Sequence, residues 1–304
     1  MNKVLVVCLN PTFQRTMVFE TFLEGEVNRS DHYRLDASGK GVNVARVIAQ
    51  LGGKAIHLTH LGSHRTQEFI EMLKGDGIEL FWSDSRSTIR TCTTIINSNN
   101  KTTTELVEEP QEVAQGTEEM IVEQFKTALQ ESATLVISGT RSPGYSPSLY
   151  TDFVKEAKAQ GKRVILDIKG GDLLQSLPYG VDVIKPNLSE FANTFMDGLT
   201  VLEQEDSQEI KGRIIAKMEE LYREYGSAIV LTRGAFSVWL YDQDGFWEEP
   251  VEKVEPLNTI GCGDATTAGI AYGLTKGDSL HEAVKLGLAC GVANAKTLRP
   301  GSII

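Results

Sequence analysis

Apolar residues recur along the chain in two alternating patterns. Short runs of β-branched and other apolar residues, such as KVLVVCLN near the amino terminus, predict buried strands. Longer segments such as GVNVARVIAQLGG place Val44, Ile48 and Leu51 on one helical face and end in Gly52-Gly53, a helix stop signal. Because strands and helices alternate, we predict an α/β fold with a central, mainly parallel sheet and helices on both faces.

The alternation becomes regular from about residue 117. The predicted order is a helix to 130, strand ATLVIS, a helix over 146–160, strand RVILDI, a short helix, strand DVIKPN, helices to 225 and strand AIVLTR. The segment FSVWLYDQDGFWEEP then predicts a hairpin that turns at Asp244-Gly245. Two helices, roughly 263–275 and 279–297, complete the predicted elements.

Two stretches interrupt this alternation. Residues 14–37 and 87–108 are rich in Thr, Val and Ile, and the second predicts a hairpin that turns over 97–100. Because both lie between strand–helix units, we expect them to form a small β layer beside the main sheet. Open α/β sheets bind ligands at the carboxyl ends of their strands, so such a layer would act as a lid that excludes water. We predict one domain over 1–304, with these two inserts as its lid.

Composition and charge narrow the class of protein. A hydrophobic content of 41% and a charged content of 23% are typical of a soluble globular protein. The net charge of −11 argues against a non-specific nucleic-acid binder, although a few local cations suffice for an anionic substrate. The four cysteines lack CxxC spacing and predict reduced thiols. The apolar run VLVVCL is too short for a signal peptide or a membrane span, so we expect a cytoplasmic protein without membrane contact.

The segment NTIGCGDATTAG places Asp264 directly after Gly261-Cys262-Gly263, at the start of a predicted helix. Amides of such a glycine-rich turn, together with the helix dipole, favour a bound anion. Asp264 could remove a proton from a hydroxyl that attacks a phosphoryl group held there, or it could simply cap the helix. The Walker pattern GxxxxGK[ST] is absent and the spacing does not fit GxGxxG, so a nucleotide site would be of another type.

Two further motifs carry candidate polar groups. In DASGKGVNVAR, Gly39 and Gly41 flank Lys40, so this segment offers either donors for hydroxyls and phosphate or a flexible turn before a helix. In IKPNLSEF, Asn187 and Glu190 fit a helix capping box. The alternative is a contact of this glutamate, through water, with Mg²⁺ at nucleotide phosphates, since Mg²⁺ keeps much of its water.

The order of the motifs is more specific than any one of them. CLNPT, SGKGVNVAR, SGTRSPG, IKPNLSE and IGCGD follow one another as in one family. From near residue 4 to residue 301, the chain resembles the phosphofructokinase-B branch of the ribokinase-like carbohydrate kinases. The nearest likeness is to the tagatose-6-phosphate kinases and 1-phosphofructokinases of that branch. The resemblance implies a ribokinase-like fold with a β lid.

The resemblance also implies roles for the matching residues. Asp264 matches the catalytic base, and the amides of Gly261, Cys262 and Gly263 match the anion hole. The residues that match contacts to the sugar and its phosphate are Gln14, Arg29, Gly39, Lys40, Asn43, Arg90 and Ser138. The residues that match the nucleotide site are Lys185, Asn187, Glu190, Thr232 and Gly234, with Glu190 reaching the metal through water.

Several positions depart from the family pattern. The usual NPxxD is NPTFQ, so the neutral amide of Gln14 stands where a carboxylate grips sugar hydroxyls. The usual GGKG begins with Ser38. The usual DxSG is DIKGG, where Lys169 either adds a cation near the nucleotide phosphates or points to solvent. The nucleotide loop, TRGAFS, is poorer in glycine than in the family.

We therefore expect an ATP-dependent kinase that phosphorylates a hydroxyl of a ketohexose phosphate of the tagatose 6-phosphate, fructose 1-phosphate or fructose 6-phosphate type. The resemblance implies ATP and Mg²⁺ as cofactors, leaves a monovalent cation open, and implies a homodimer formed through the lid. One alternative is a kinase of an unphosphorylated sugar or nucleoside, which would not need Arg29, Lys40 and Arg90 together. Another is a catalytically silent sugar-binding or nucleotide-binding regulator, against which the intact Gly-Cys-Gly-Asp argues.

Overall fold

The structure is a computed structural model that describes residues 2–202 and 208–304. In chain order its elements are β1 (Lys3–Val7), β2 (Thr12–Phe19), β3 (Tyr33–Ser38), α1 (Lys40–Gln50), β4 (Lys54–Leu61), α2 (Thr66–Leu73), β5 (Ile78–Asp84), β6 (Arg90–Asn97), β7 (Thr102–Leu106), α3 (Thr117–Gln130), β8 (Ser132–Ser138), α4 (Leu149–Ala159), β9 (Arg163–Asp167), α5 (Gly170–Ser176), a 3₁₀ turn (Leu177–Tyr179), β10 (Val183–Ile184), α6 (Leu188–Phe195), α7 (Gln208–Tyr225), β11 (Ala228–Arg233), β12 (Phe236–Asp242), β13 (Gly245–Glu249), α8 (Cys262–Lys276) and α9 (Leu280–Ala295).

The main sheet has nine strands in the order β13-β12-β11-β10-β9-β8-β1-β4-β5 among the described residues. Every pairing from β11 to β5 is parallel, and only β11–β12 and β12–β13 are antiparallel. This confirms the predicted α/β class and its mainly parallel sheet. The predicted hairpin is also present, but its turn lies one residue earlier. Asp242 pairs with Gly245, so the loop is Gln243-Asp244.

The sheet is buried on both faces because apolar side chains alternate along its central strands. In β1, Leu5 and Val7 belong to one core cluster, while Val4 and Val6 belong to another on the opposite face. Helices α3, α4, α6 and α7 supply the first cluster, and α1, α8 and α9 supply the second. Strands covered on both faces read as continuous apolar runs, as the sequence shows.

The two inserts form a separate four-stranded sheet, in the order β3-β2-β6-β7. The predicted small β layer is therefore confirmed, and we call these four strands the lid. At one end of the lid, Thr12 pairs with both Ser38 and Arg90. That end is anchored by Phe13, which is fully buried and packs edge-on against Phe69 of α2 at a ring distance of 5.4 Å.

Several element boundaries differ from those predicted. The first strand ends at Val7 rather than at residue 10, and only Val183–Ile184 of DVIKPN is strand. The helix predicted over 146–160 is Leu149–Ala159. The predicted helices to 225 include residues 203–207, which lie outside the described residues. No disulfide joins any of the four cysteines, all of which the structure describes. In the described part of the chain, no helix has the length and apolar character needed to cross a membrane.

Candidate active site

The candidate site lies where the parallel strands of the main sheet end. Asp167 is the last residue of β9, Ser138 is the last residue of β8, and Lys185 directly follows β10. Parallel strands bring their carboxyl ends to one edge, so these polar side chains meet there. Helices α1 and α8 begin at the same edge and contribute Lys40 and Asp264.

Asp264 lies in the first turn of α8 and is 7% exposed. Its Oδ2 accepts a hydrogen bond of 2.8 Å from Nδ2 of Asn43 on α1. The N-cap of α8 is Gly261, and no side chain caps this helix. The interpretation of Asp264 as a helix cap is therefore wrong. Its carboxylate instead faces the start of α1.

The turn before Asp264 requires glycine. Gly261 has a φ of 87°, and a Cβ at this position would lie 2.6 Å from the backbone nitrogen of Gly301. Among residues 2–202 and 208–304, the amides of Gly261 and Gly263 have no hydrogen-bond acceptor. The amide of Cys262 differs from our expectation, because it donates to the carbonyl of Thr259 at 3.3 Å. Two of the three predicted anion-binding amides are therefore open to a ligand.

Asp167 joins the parts of the site, although the motifs did not select it. Its Oδ1 lies 3.5 Å from Nζ of Lys40 and 3.4 Å from Nζ of Lys185. Its Oδ2 accepts hydrogen bonds from the hydroxyls of Ser138 at 3.0 Å and Thr267 at 3.2 Å. The sequence signal for this residue was its place at the carboxyl end of the buried run RVILD, at the ligand edge of the sheet.

The two buried carboxylates differ in their affinity for protons. Burial raises the pKa of Asp264 to about 6, and the charge of Asp167 adds to this rise against the opposing effects of Lys40, Asn43 and Lys185. Burial also disfavours ionised Asp167, but Lys185 and Lys40 outweigh it and hold the pKa of Asp167 below its ordinary value. A carboxylate with a lowered pKa beside one with a raised pKa is a common acid–base arrangement.

The predicted capping box of α6 is present. The amide of Glu190 donates to Oδ1 of Asn187 at 2.8 Å, and the amide of Asn187 donates to Oε2 of Glu190 at 3.1 Å. The other carboxylate oxygen of Glu190 lies 3.8 Å from Nζ of Lys169. The glutamate can therefore cap α6 with one oxygen and face a ligand with the other. Thr232 lies beside this motif, because it pairs with Asn187, and Gly234 follows at a φ of 58°.

A cavity of about 140 Å³ has Lys40, Asp167 and Glu190 in its lining. It is lined by Cys8, Asn10, Lys40, Arg90, Gly139, Thr140, Asp167, Ile168, Lys169 and Glu190. Two of its polar atoms, Nε of Arg90 and Oδ1 of Asn10, are buried without a hydrogen-bond partner among the described residues. Unpaired buried polar atoms are costly, so they indicate a ligand that completes them. A larger cavity of about 620 Å³ behind α1 has none of the predicted site residues in its described lining.

The structure places the predicted sugar contacts Gln14 and Arg29 in the lid and in its β2–β3 loop. Gln14 is buried in the lid, where its Nε2 donates to the hydroxyl of Thr94 at 2.8 Å. Arg29 is exposed in the loop that joins β2 to β3, at the opposite end of that hairpin from Ser38. The eight residues of β2 separate the two ends by roughly 23 Å. The structure therefore does not bring Arg29 to the site of its own chain, because strand direction carries it away.

A family model described as "pfkB family carbohydrate kinase" matches residues 5–303. The chain belongs to this family of carbohydrate kinases. It is accordingly a phosphotransferase, and the family implies the use of ATP and Mg²⁺. The motifs that suggested the phosphofructokinase-B branch are confirmed as markers of membership, since the match covers nearly the whole chain.

Solved structures described as phosphofructokinases share this fold at low sequence identity. A possible 1-phosphofructokinase from Thermotoga maritima is 22% identical, with a TM-score of 0.86 and coverage of 98% of this chain and 93% of that one. Phosphofructokinase-2 from Escherichia coli in complex with fructose-6-phosphate is 20% identical, with a TM-score of 0.82 and coverage of 97% and 94%. The same enzyme in complex with potassium is 21% identical, with a TM-score of 0.83 and coverage of 98% and 94%. The ribokinase-like fold is therefore confirmed.

Proposed function

We propose that this pfkB kinase transfers the γ-phosphoryl group of ATP to a hydroxyl of a ketohexose phosphate. The observation that carries the proposal is the position of Asp264. This buried carboxylate, with a pKa of about 6, stands at the start of α8 and faces Lys40, which lines a cavity together with Arg90. A base at this place can take the proton of an alcohol while the nearby helix start holds the phosphoryl group.

The residues of the site have separate roles in phosphoryl transfer. Asp264 accepts the proton of the attacking hydroxyl at its carboxylate. The amides of Gly261 and Gly263 donate to the oxygens of the transferring group, where preorganised donors have their largest effect. Lys185, with its Nζ 3.7 Å from where a Cβ on Gly263 would lie, adds positive charge at the same point. The lid excludes water, which would otherwise compete with the sugar as acceptor.

The nucleotide side of the site fits a Mg²⁺–ATP complex. Glu190 presents one carboxylate oxygen to the cavity, and Mg²⁺ prefers oxygen ligands while retaining water. When bound, Mg²⁺ would neutralise charge on the nucleotide phosphates. Lys169, at the position where the family has serine, adds a cation on this side. The potassium complex of the E. coli relative supports a monovalent cation as a further cofactor.

Two features support an acceptor that already carries a phosphate. Lys40 and Arg90 line one cavity, and Nε of Arg90 is buried there without a partner among the described residues. The guanidinium is held in place because its Nη1 donates to the carbonyl of Glu108 at 2.9 Å. Arginine binds phosphate oxygens through a rigid, planar set of donors. The neighbours named for fructose 6-phosphate and 1-phosphofructokinase agree with a tagatose 6-phosphate, fructose 1-phosphate or fructose 6-phosphate type of acceptor.

A kinase of an unphosphorylated sugar is the second candidate. It is favoured by the position of Arg29, which leaves Lys40 and Arg90 as the predicted phosphate cations near the cavity. A coupled assay of ADP release separates the two candidates. The purified protein is supplied with Mg²⁺–ATP and matched pairs of acceptors, such as fructose and its 1- and 6-phosphates or tagatose and its 6-phosphate. We expect ADP release only with the phosphorylated sugar of a pair. Equal rates with a free sugar and its phosphate would overturn the choice of acceptor.

The activity should depend on the ionisation of Asp264. A carboxyl group acts as a base only when it is ionised, and burial raises the pKa of this one to about 6. We expect kcat/KM to fall about tenfold per pH unit below this value and to be level above it. Initial rates between pH 4.5 and 8 at subsaturating sugar phosphate measure this. A profile that is flat across pH 6, in a protein shown to stay folded, would contradict the assignment.

Replacement of Arg90 by alanine should raise the KM for the sugar phosphate at least tenfold and leave the KM for ATP nearly unchanged. Hydrogen bonds to charged groups contribute about 1.5–3 kcal/mol, which corresponds to this change in affinity. Arg86→Ala is the matched control, because Arg86 is exposed four residues earlier and outside the cavity lining. Steady-state kinetics with each substrate varied in turn give both constants. Equal increases in the two KM values would count against a phosphate-binding role.

The lid offers a surface for a second copy of the chain. Its strands and loops expose five large apolar side chains, namely Leu23, Val27, Tyr33, Leu106 and Val107, each more than half exposed. Exposed apolar clusters commonly mark protein–protein contacts. We expect a homodimer formed through the lid. Sedimentation velocity should show a dimer for the wild-type protein and a monomer for a Tyr33→Glu, Leu106→Glu variant, and a wild-type monomer would refute this.

A further inference from the structure

Arg46 is a buried cation to which none of the motifs assigned a role. It lies on α1, one turn after Asn43, and is 0% exposed. Its guanidinium donates to four groups: Asn43 Oδ1 at 3.2 Å, Pro300 O at 3.0 Å, Ala37 O at 2.7 Å and Asp76 Oδ2 at 2.9 Å. A buried charge needs a counter-ion, which Asp76 supplies. The other three bonds hold neutral groups from three separate parts of the chain.

One of these bonds sets the orientation of the Asn43 amide. Oδ1 of Asn43 accepts from Arg46 and also from the hydroxyl of Ser38 at 3.0 Å. The NH₂ end therefore points the other way and donates to Asp264 at 2.8 Å. A turned amide would bring an oxygen against the Asp264 carboxylate and an NH₂ group against the guanidinium, and both contacts are repulsive.

The second bond fixes the loop that separates Asn43 from the start of α8. Arg46 holds this loop through the carbonyl of Pro300. The next residue, Gly301, has a φ of 62°, and a Cβ there would lie 2.4 Å from Cα of Asn43. On its other side, the nitrogen of Gly301 would meet a Cβ on Gly261 at 2.6 Å. The loop is therefore packed tightly between the asparagine and the glycine turn that precedes Asp264.

We propose that Arg46 is a positioning residue that fixes the Asn43 amide so that it donates to Asp264. Its bond to Ala37 adds the end of lid strand β3 to the same hydrogen-bonded unit. The proposal rests on the proposed function in taking Asp264 as the base. The predicted contact of Asn43 with the sugar is compatible with this role, because its NH₂ group has a second hydrogen besides the one donated to Asp264.

The other charges that face Asp264 come from three separate elements. They are Lys40 of α1, Asp167 of β9 and Lys185 after β10. None of them bonds to Arg46 among the described residues. Replacement of Arg46 breaks its four bonds but leaves these three charges in place, and we expect it to act on Asp264 through the Asn43 hydrogen bond. Loss of a donor to a carboxylate disfavours the ionised form.

The test measures the titration of Asp264 directly. Carboxyl ¹³C NMR of aspartate-labelled protein, assigned with an Asp264→Asn sample, follows this group in the wild type, Arg46→Met and Arg299→Met. Arg299 is the matched control, since it donates to both oxygens of Asp76 at 2.8 and 2.9 Å but makes no bond to Asn43 among the described residues. We expect the pKa of Asp264 to move upward by about one pH unit in Arg46→Met and to stay unchanged in Arg299→Met.

The same change should appear in catalysis. If the pKa rises by about one pH unit, the ionised fraction at pH 6 and hence kcat/KM fall about fivefold, with the KM for ATP unchanged. An unchanged pKa of Asp264 in folded Arg46→Met would overturn the positioning role. An equal change of this pKa in Arg299→Met would overturn it as well.

Two further outcomes are separable. If Arg46→Met does not fold, Arg46→Lys tests the same contact, because lysine keeps a positive charge near Asp76 but lacks the planar guanidinium that donates to Oδ1 of Asn43. A rise in the pKa of Asp264 in that variant supports the proposal, and an unchanged pKa overturns it. A wild-type protein that transfers no phosphoryl group to any acceptor would reject the proposed function, while the NMR titration would still decide the role of Arg46.

Discussion

Asp264→Asn should lower kcat by roughly 10²–10⁴-fold while the protein folds normally and binds ATP as the wild type does. Asparagine has almost the same size, so α8 keeps its packing. Its amide, however, cannot accept a proton from the attacking hydroxyl. The carboxylate that is lost is the one that titrates near pH 6 at the start of α8. Initial rates, a thermal melt and ATP binding by calorimetry measure the three properties separately.

Asp244→Asn is the matched control for this variant. Asp244 is an exposed aspartate in the β12–β13 turn, remote from the edge where the strands carry the site. Its replacement should leave kcat unchanged within about twofold. Near-normal turnover in Asp264→Asn would remove this residue from the chemistry, and loss of ATP binding in the same variant would assign it to nucleotide binding instead.

Asp167→Asn should lower the free energy of unfolding by about 3 kcal/mol, since removing one partner of a buried ion pair leaves an uncompensated charge. Asp167 is 2% exposed and lies within 3.5 Å of the ammonium groups of Lys40 and Lys185. Its amide replacement keeps acceptors for Ser138 and Thr267 but loses the negative charge. Chemical denaturation at pH 7 measures the difference from the wild type.

Asp152→Asn is the control for a surface pair. Asp152 and Lys155 form an ion pair of 3.0 Å whose side chains are about half exposed, and such pairs contribute about 0–1 kcal/mol. The two variants should also differ in their response to acid. Because Lys185 and Lys40 lower the pKa of Asp167, its stabilising effect is present above its unfolded pKa near 4 and is lost as the pH falls further. Equal destabilisation by the two variants at pH 7 would contradict the ionic network.

The sequence predicted the fold well where local pattern determines structure. Continuous apolar runs such as VLVVC and RVILD predicted parallel strands buried on both faces, and the Thr-rich inserts predicted the lid. Both follow from the period of apolar side chains, which is a property of each segment alone. The boundaries were less certain, as in DVIKPN, where tertiary pairing limits the strand to two residues.

The candidate site was predictable only in part. Asp264, Asn187 and Glu190 stand in motifs whose spacing reflects a local turn or helix start, and the structure places all three at the ligand edge. Asp167 and Arg46 were not predicted as site residues, because their roles depend on partners far away in the chain. The partners of Arg46 lie as many as 254 positions distant. No local spacing records such a contact.

Arg29 shows the opposite limitation. A basic residue in a lid insert was expected to hold the sugar phosphate, but the direction of β2 carries its loop away from the edge of the main sheet. Arg90 starts β6 next to Thr12 and does reach the cavity. Which end of a lid strand a residue occupies depends on strand pairing, and the sequence does not specify that pairing.

The most direct test is a crystal structure with a non-hydrolysable ATP analogue, Mg²⁺ and a ketohexose phosphate bound together. We expect the acceptor hydroxyl within about 2.6–3.2 Å of the Asp264 carboxylate, with the γ-phosphate next to the amides of Gly261 and Gly263. A γ-phosphate bound far from Asp264, with no space for an alcohol between them, would contradict phosphoryl transfer at this site.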